Sequence, residues 1–158
     1  MAAFLLRPAD PADALLLIRT CWSGRALSEA IDFLETLSGR MAEGKAWGLV
    51  AAAEHKLVGF GQILRFGQRA EIADLIVAEG WRGQGIGTAL IRELAAFAAV
   101  HGIRTIEIGA EESNLRALAL YRRLGFHGER RVILDVGRGP EPVIYLWQES
   151  EKIIHAGK

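Results

Sequence analysis

The run Trp81-Arg82-Gly83-Gln84-Gly85-Ile86-Gly87-Thr88 sets glycines at alternate positions in front of a helical pattern. Glycine lets the backbone turn successive N–H groups to one side, which makes a nest for an anion. The helix starting near Gly87 aims the positive end of its dipole at the same point, so a phosphate or pyrophosphate is the natural occupant, and Arg82 can pair with one phosphate. A P-loop is excluded, because no lysine follows these glycines. A dinucleotide fingerprint needs its glycines tight against a strand end, but Ala78-Glu79-Gly80-Trp81-Arg82 intervenes and Thr88 stands where the third glycine belongs. Glu107 lies near the spacing of about 20 residues at which a ribose-binding acid falls, yet inside a strand pattern and not at its end. A plain helix start with glycines for close packing is the bland alternative.

No comparable pattern exists for metals. His55, His101, His127 and His155 lie far apart and Cys21 is the single cysteine, so neither HxxxH nor CxxC is available and no metal is expected.

These residues need elements to carry them. Phe4, Leu5 and Leu6 read as a first strand stopped by Arg7-Pro8. Asp10-Pro11-Ala12-Asp13 starts a helix whose buried stripe is expected at Leu15, Leu16, Ile18 and Trp22. Ser28 is a second N-cap candidate, with Ile31, Phe33, Leu34 and Leu37 following before Gly39. Trp47–Ala53 and Leu57–Phe66, joined by Glu54-His55-Lys56, read as an antiparallel hairpin, and Ala70–Val77 as a third strand beside it. Gly87–His101 carries Leu90, Ile91, Leu94, Phe97 and Ala98 at helical spacing before Gly102. Thr105–Gly109 is a short strand, Asn114–Leu124 a helix with Leu115, Leu118 and Ala119 recurring, and Arg131–Val136 and Val143–Trp147 are strands. The order predicts a single-domain α/β fold over residues 1–148, a mixed sheet with flanking helices, followed by a tail at 149–158 without assignment.

Composition narrows the function classes. At 158 residues, 51% hydrophobic and with 19 basic against 19 acidic side chains, the chain suits one globular domain with no global field for nucleic acid or an anionic membrane. Neither a secretory pattern at Met1–Asp10 nor a membrane-length apolar run is present, and one cysteine gives no reason for an oxidising compartment, so a cytoplasmic location is expected.

Arg82-Gly83-Gln84-Gly85-Ile86-Gly87 matches [RQ]xxGx[GA], and Asn114 is followed by Leu120-Tyr121 and Gly125-Phe126. With both motifs in this order, the chain resembles the GNAT superfamily of N-acetyltransferases over residues 69–136, a resemblance that implies a GNAT-like acyl-CoA-binding fold and acetyl-CoA as cosubstrate. It implies that backbone groups of Leu75, Ile76 and Val77 bond the pantetheine arm as an added strand would, that Arg82, Gly83, Gln84, Gly85, Ile86, Gly87 and Thr88 hold the pyrophosphate, that Asn114 contacts the pantetheine, and that Tyr121 lies near the thioester sulfur.

Acetyl transfer to an amine needs a neutral nucleophile, a polarised carbonyl and a donor to the departing sulfur. Tyr121, whose ordinary pKa is about 10, holds its proton at neutral pH and is the general-acid candidate; its alternative is an amphipathic core tyrosine. A backbone N–H of Leu75–Val77 would polarise the carbonyl. For the base, Glu71 in its Ala-Glu-Ile context, similar to the histone-acetylating branch, stands slightly ahead of Asp74, and strict alternation sets the two on opposite faces. Both are equally readable as solvated strand-edge charges. Trp22, Phe33, Tyr145 and Trp147 are candidate wall residues for the acceptor, with core packing as their alternative, and Asp32 and Glu35 read either as a lure for a cationic amine or as a solvated helix face. The partner is an amine whose identity is open, whether small drug, polyamine, amino acid or protein N-terminus. A homodimer is also left open. The rival class is a noncatalytic acyl-CoA sensor, which needs the loop but no proton donor.

Overall fold

The computed structural model, which describes residues 3–135 and 137–155, pairs every apolar run with a neighbour. Seven strands, β1 (Leu5–Pro8), β2 (Ala46–Ala53), β3 (Lys56–Phe66), β4 (Arg69–Val77), β5 (Thr105–Glu111), β6 (His127–Asp135) and β7 (Pro140–Glu149), form one sheet in the order β1-β2-β3-β4-β5-β7-β6. All neighbours are antiparallel except β4 and β5, which run parallel through the connecting helix α3 (Ile86–Val100). Val136, the expected end of the sixth strand, and residues 156–158 of the tail lie outside the described residues. The start of that tail is helical, as α5 (Ser150–His155), and Ser150 Oγ ties it down by donating to the Ile103 carbonyl at 2.7 Å.

The two faces of the sheet bury different layers. Toward α3, glycines replace side chains on β3: a Cβ on Gly59 would start 2.9 Å from Ile86 Cγ2, and one on Gly61 would start 3.0 Å from Leu75 Cδ1. The helix therefore sits close, with Ile86, Leu90, Ile91, Leu94, Ala95 and Ala98 buried beneath it. On the other face lie α1 (Ala14–Ile18) and α2 (Leu27–Ala42), where Trp22, Phe33 and Phe60 meet edge to face at centroid separations of 4.9–5.9 Å. The fourth helix, α4 (Leu115–Arg123), follows β5 and leans on the start of α3, with Leu120 Cδ2 3.3 Å from where a Gly87 Cβ would stand.

Several local expectations shift for identifiable reasons. Asp10 does cap, accepting from the Ala12 N–H at 2.8 Å, but Pro11–Asp13 wind as a tighter 3-10 turn. In and beyond α1, Ala14, Leu17, Cys21 and Trp22 are buried and the expected Leu16 and Ile18 pack half-buried against the core, while Leu15 is exposed. Ser28 is not the cap of α2; Ala26 occupies that position without a side-chain bond, and the helix runs through Gly39 to Ala42 because Ala30, Leu34 and Leu37 keep its inner stripe going. Gly44, at φ 71°, supplies the left-handed stop instead. Leu115 is exposed at the start of α4, which buries Leu118 and Tyr121. No helix among the described residues is long and apolar enough to cross a membrane.

Candidate functional site

Parallel pairing of β4 with β5 stops at Ile72 opposite Ile108. Beyond it β4 continues to Val77 beside β3 alone, while β5 turns to follow β7 as far as Glu111. The edge of β4 from Ala73 to Val77 that faces β5 is thus left without a strand partner, and such an edge offers backbone N–H and C=O groups to an extended ligand. A cavity of about 700 Å³ opens in this gap, walled by Leu75, Ile76 and Val77 on one side and by Ala117, Leu120 and Tyr121 of α4 on the other.

The glycine loop closes one end of that cavity. Gly83 and Gly85 take φ of 76° and 87°, in the left-handed region, and Gly85 is the N-cap of α3 with no side chain to occupy the helix's free N–H groups. Gly83, Gly85, Ile86, Gly87 and Thr88 all line the cavity. Arg82 lines it too, its Nε donating back to the Val77 carbonyl at 3.1 Å, so the guanidinium is anchored to the strand end. Gln84 does not; its amide nitrogen turns back to the Gly80 carbonyl, 3.5 Å away. Asn114 caps α4 by accepting from the Ala117 N–H at 3.2 Å, which spends its side-chain oxygen and leaves its NH₂ for the cavity it borders.

Arg116 and Arg123 complete the rim. With Arg82 they give the cavity three arginines, and no carboxylate lies among its lining residues, which is the charge balance a polyphosphate requires. Neither was expected from the sequence. Their spacing of seven residues, one face of α4 two turns apart, was the available signal, but only the docking of α4 shows which face looks onto the loop. Tyr121 is 5% exposed and its ring lies against Phe126; burial pushes its phenol up to about 12.

The carboxylates fall differently from the expected alternation. Between Phe60 opposite Ile76 and Gln62 opposite Ala73, Gly61 alone faces both Asp74 and Leu75, which is a β-bulge, and Asp74 takes the left-handed φ of 55° that permits it. The extra residue flips the phase. Glu71 pairs with Leu64, on the same face of β3 as Gln62, and Asp74 Oδ2 accepts from Gln62 Nε2 at 2.6 Å. Glu71 and Asp74 therefore share a face, not opposite ones.

Asp74 opens onto a second cavity of about 460 Å³, lined also by Cys21, Trp22, Ser23, Gly24, Arg25, Glu29, Leu75 and Ile76. Leu75 and Ile76 line both cavities, so this stretch of β4 is the wall between them. Glu71 lines neither. It sits half-buried beside Glu107, which is held by Arg130 and lies near Arg69, and burial with the charges of Glu107 and Asp74 pushes its carboxyl up. Tyr145 belongs to that cluster, under Arg130 and raised by burial and by Glu71 and Glu107. Of the expected acceptor-side residues, Trp22 reaches the second cavity, while Phe33 packs behind Trp22 and Asp32 and Glu35 are exposed on α2 outside it. Trp147 opposes Glu107 across the β5–β7 pair, away from both cavities.

Comparison with known proteins bears on this arrangement. Residues 15–126 match the model of the Acetyltransferase (GNAT) family. The aminoglycoside N(6')-acetyltransferase type 1 of Stenotrophomonas maltophilia is 30% identical over 141 residues, covering 81% of this chain and 89% of that protein. The streptothricin acetyltransferase of Streptomyces lavendulae is 36% identical over 80 residues, 49% of this chain, and the match spans only 42% of that protein's length. Among solved structures, the PaiA N-acetyltransferase of Thermoplasma acidophilum in complex with coenzyme A superposes with a TM-score of 0.69 at 17% identity, covering 90% of this chain and 98% of that one, a likeness of fold.

Proposed function

The chain belongs to the GNAT family of acetyltransferases, and from that premise we propose that it moves an acetyl group from acetyl-CoA to a primary amine by direct attack across β4. The observation that carries the proposal is the pair of cavities sharing Leu75 and Ile76: an arginine-rim slot on one side and a carboxylate-bearing pocket on the other. The residues fit the cosubstrate. Backbone N–H groups at the start of α3 with Arg82, Arg116 and Arg123 would hold the phosphates, and the unpaired edge of β4 at Leu75–Val77 would align the pantetheine. Acetyl-CoA held there would supply the activated acyl carbon.

On the acceptor side, Asp74 rather than Glu71 would receive the amine. Geometry precedes pKa in choosing a base, and Asp74 is the carboxylate at the shared wall. An alkyl ammonium, with a pKa of about 10, must shed its proton before attack, and Asp74 would orient it and pass that proton to water. Across the wall, Tyr121 would donate to the sulfur as negative charge builds there. At about 12 its phenol sits some 3 to 4 units above an ordinary thiol, so its part is a hydrogen bond to the developing thiolate more than complete release of its proton.

Thiol release from acetyl-CoA across a panel of amines tests the proposal. With an active amine, Asp74→Asn should lower kcat/KM roughly tenfold to a thousandfold, most at neutral pH, with recovery as the solution deprotonates the amine. Glu71→Gln should change it far less. Acetyl-CoA binding with no thiol release from any amine would favour a noncatalytic sensor; the reverse ranking of the two variants would return the base to Glu71.

A further inference from the structure

The second cavity holds a charge that amine transfer does not need. Arg25 lines it, half-buried, with its guanidinium carbon 4.4 Å from the centroid of Trp22 and 5.3 Å from that of Phe33. Trp22 is itself fixed, buried against Phe33 and Phe60. Arg7, Arg122, Arg130, Arg131 and Arg138 each reach a carboxylate, whereas Arg25 has no side-chain hydrogen bond or ion pair among the described residues. Cation–π contact with these rings uses no hydrogen-bond acceptor and leaves the guanidinium's N–H fork unspent, the part that binds a carboxylate with two parallel bonds. An arginine held in place by aromatics with its fork unused is preorganised for a planar anion.

The surroundings support the same ligand. The α2 helix begins right after Arg25, and its N-cap, Ala26, gives the free N–H groups no side-chain acceptor, so its positive end adds to the field. Glu29, in that first turn, is exposed and solvent-screened. Asp74 is exposed as well, but unlike Glu29 it is held, accepting from the buried Gln62 amide. One pocket thus presents the Gln62-held carboxylate of Asp74 at the shared wall and the aromatic-held guanidinium of Arg25, with the exposed Glu29 also on its lining and Trp22, Leu75 and Ile76 as apolar surface. Polyamines and aminoglycosides, which carry only positive charges, offer no counter-charge to Arg25.

Resting on the transferase reading above, we propose that the acceptor is a small amino acid-like molecule whose amine meets Asp74 and whose carboxylate is gripped by Arg25. The test compares matched acceptors by thiol release: the common L-amino acids, their carboxamides, their decarboxylated amines, spermidine and kanamycin. Free amino acids should surpass their own amides and decarboxylated amines. Arg25→Gln should lower kcat/KM for the carboxylated acceptors by about ten- to a hundredfold, through KM, and leave the amides within about twofold, in line with loss of a charge-assisted pair. Arg25→Lys, which keeps the charge but not the fork, should fall between, and equal melting temperatures would show that both variants fold. If spermidine, kanamycin or the amides are the better acceptors and Arg25→Gln weakens all alike, the carboxylate inference is overturned while the transferase reading stands. If no amine releases thiol, both fall.

Discussion

At the scale of single residues, Tyr121 shows how burial and role are linked. A phenol at 5% exposure has lost the water that would solvate its anion, so it keeps its proton well beyond the ordinary value of about 10. The chain has two tyrosines, and both are raised, Tyr121 to about 12 by burial and Tyr145 by burial and the nearby Glu71 and Glu107. A spectrophotometric titration should therefore show both tyrosines ionising above the ordinary position, and Tyr121→Phe should remove the step at about 12. Stability shifts with the same sign. Between about pH 10 and 12 the unfolded chain has lost a proton that folded Tyr121 keeps, so the wild type should lose stability across that window, by at most about 3 kcal/mol. Tyr121→Phe lacks this loss, and its acetyl transfer should fall roughly tenfold to a thousandfold with acetyl-CoA affinity nearly unchanged. A Tyr121→Phe variant with wild-type turnover, chemistry being rate-limiting, would remove the phenol from the reaction.

At the scale of elements, the loop and the bulge do opposite things with left-handed backbone. In the loop the strain is avoided by glycine, so the N–H groups turn inward at little cost. Gly85 has nothing within 4 Å of where a Cβ would sit, so the obstacle to a larger residue there is its φ of 87° and not crowding. Gly85→Val should thus raise the acetyl-CoA dissociation constant by at least about tenfold in calorimetry while the core packing survives, because a β-branched residue is a genuine outlier at positive φ and must swing the N–H groups away. Unchanged affinity would detach the loop from the phosphates. In the bulge, by contrast, Asp74 is a non-glycine residue at φ 55°, a conformation that aspartate tolerates better than most. The bulge sets that carboxylate beside the wall shared by the two cavities.

At the scale of the whole molecule, the sheet is incomplete where β4 and β5 part, and a ligand seated there would join β4, α3 and α4. At acetyl-CoA concentrations 100 times its dissociation constant, linkage predicts about 2.7 kcal/mol of added stability, or a rise of roughly 5–10 °C in Tm for a domain of this size. Arg116→Ala with Arg123→Ala should shrink that shift in calorimetry without lowering the Tm of the free protein, since both side chains are exposed; a full shift in the double variant would take them out of the phosphate site. Much of this was legible in the chain. The glycine spacing before α3, the helical periodicity of Leu90, Ile91 and Leu94, and the pairing of Asn114 with Tyr121 are local patterns, and they determined the mixed α/β class, the anion loop and the family resemblance, because backbone conformation and helical phase act over a few residues. What only the tertiary structure decided depends on which strand lies beside which. The bulge at Asp74 exists relative to Gly61 on β3, so alternation along β4 alone set Glu71 and Asp74 on the wrong sides of each other. Arg116 and Arg123 line the cavity only because α4 leans on Gly87, and Arg25 stands unpaired over Trp22 only because two helices and the sheet meet there, relations between distant segments that no local period encodes.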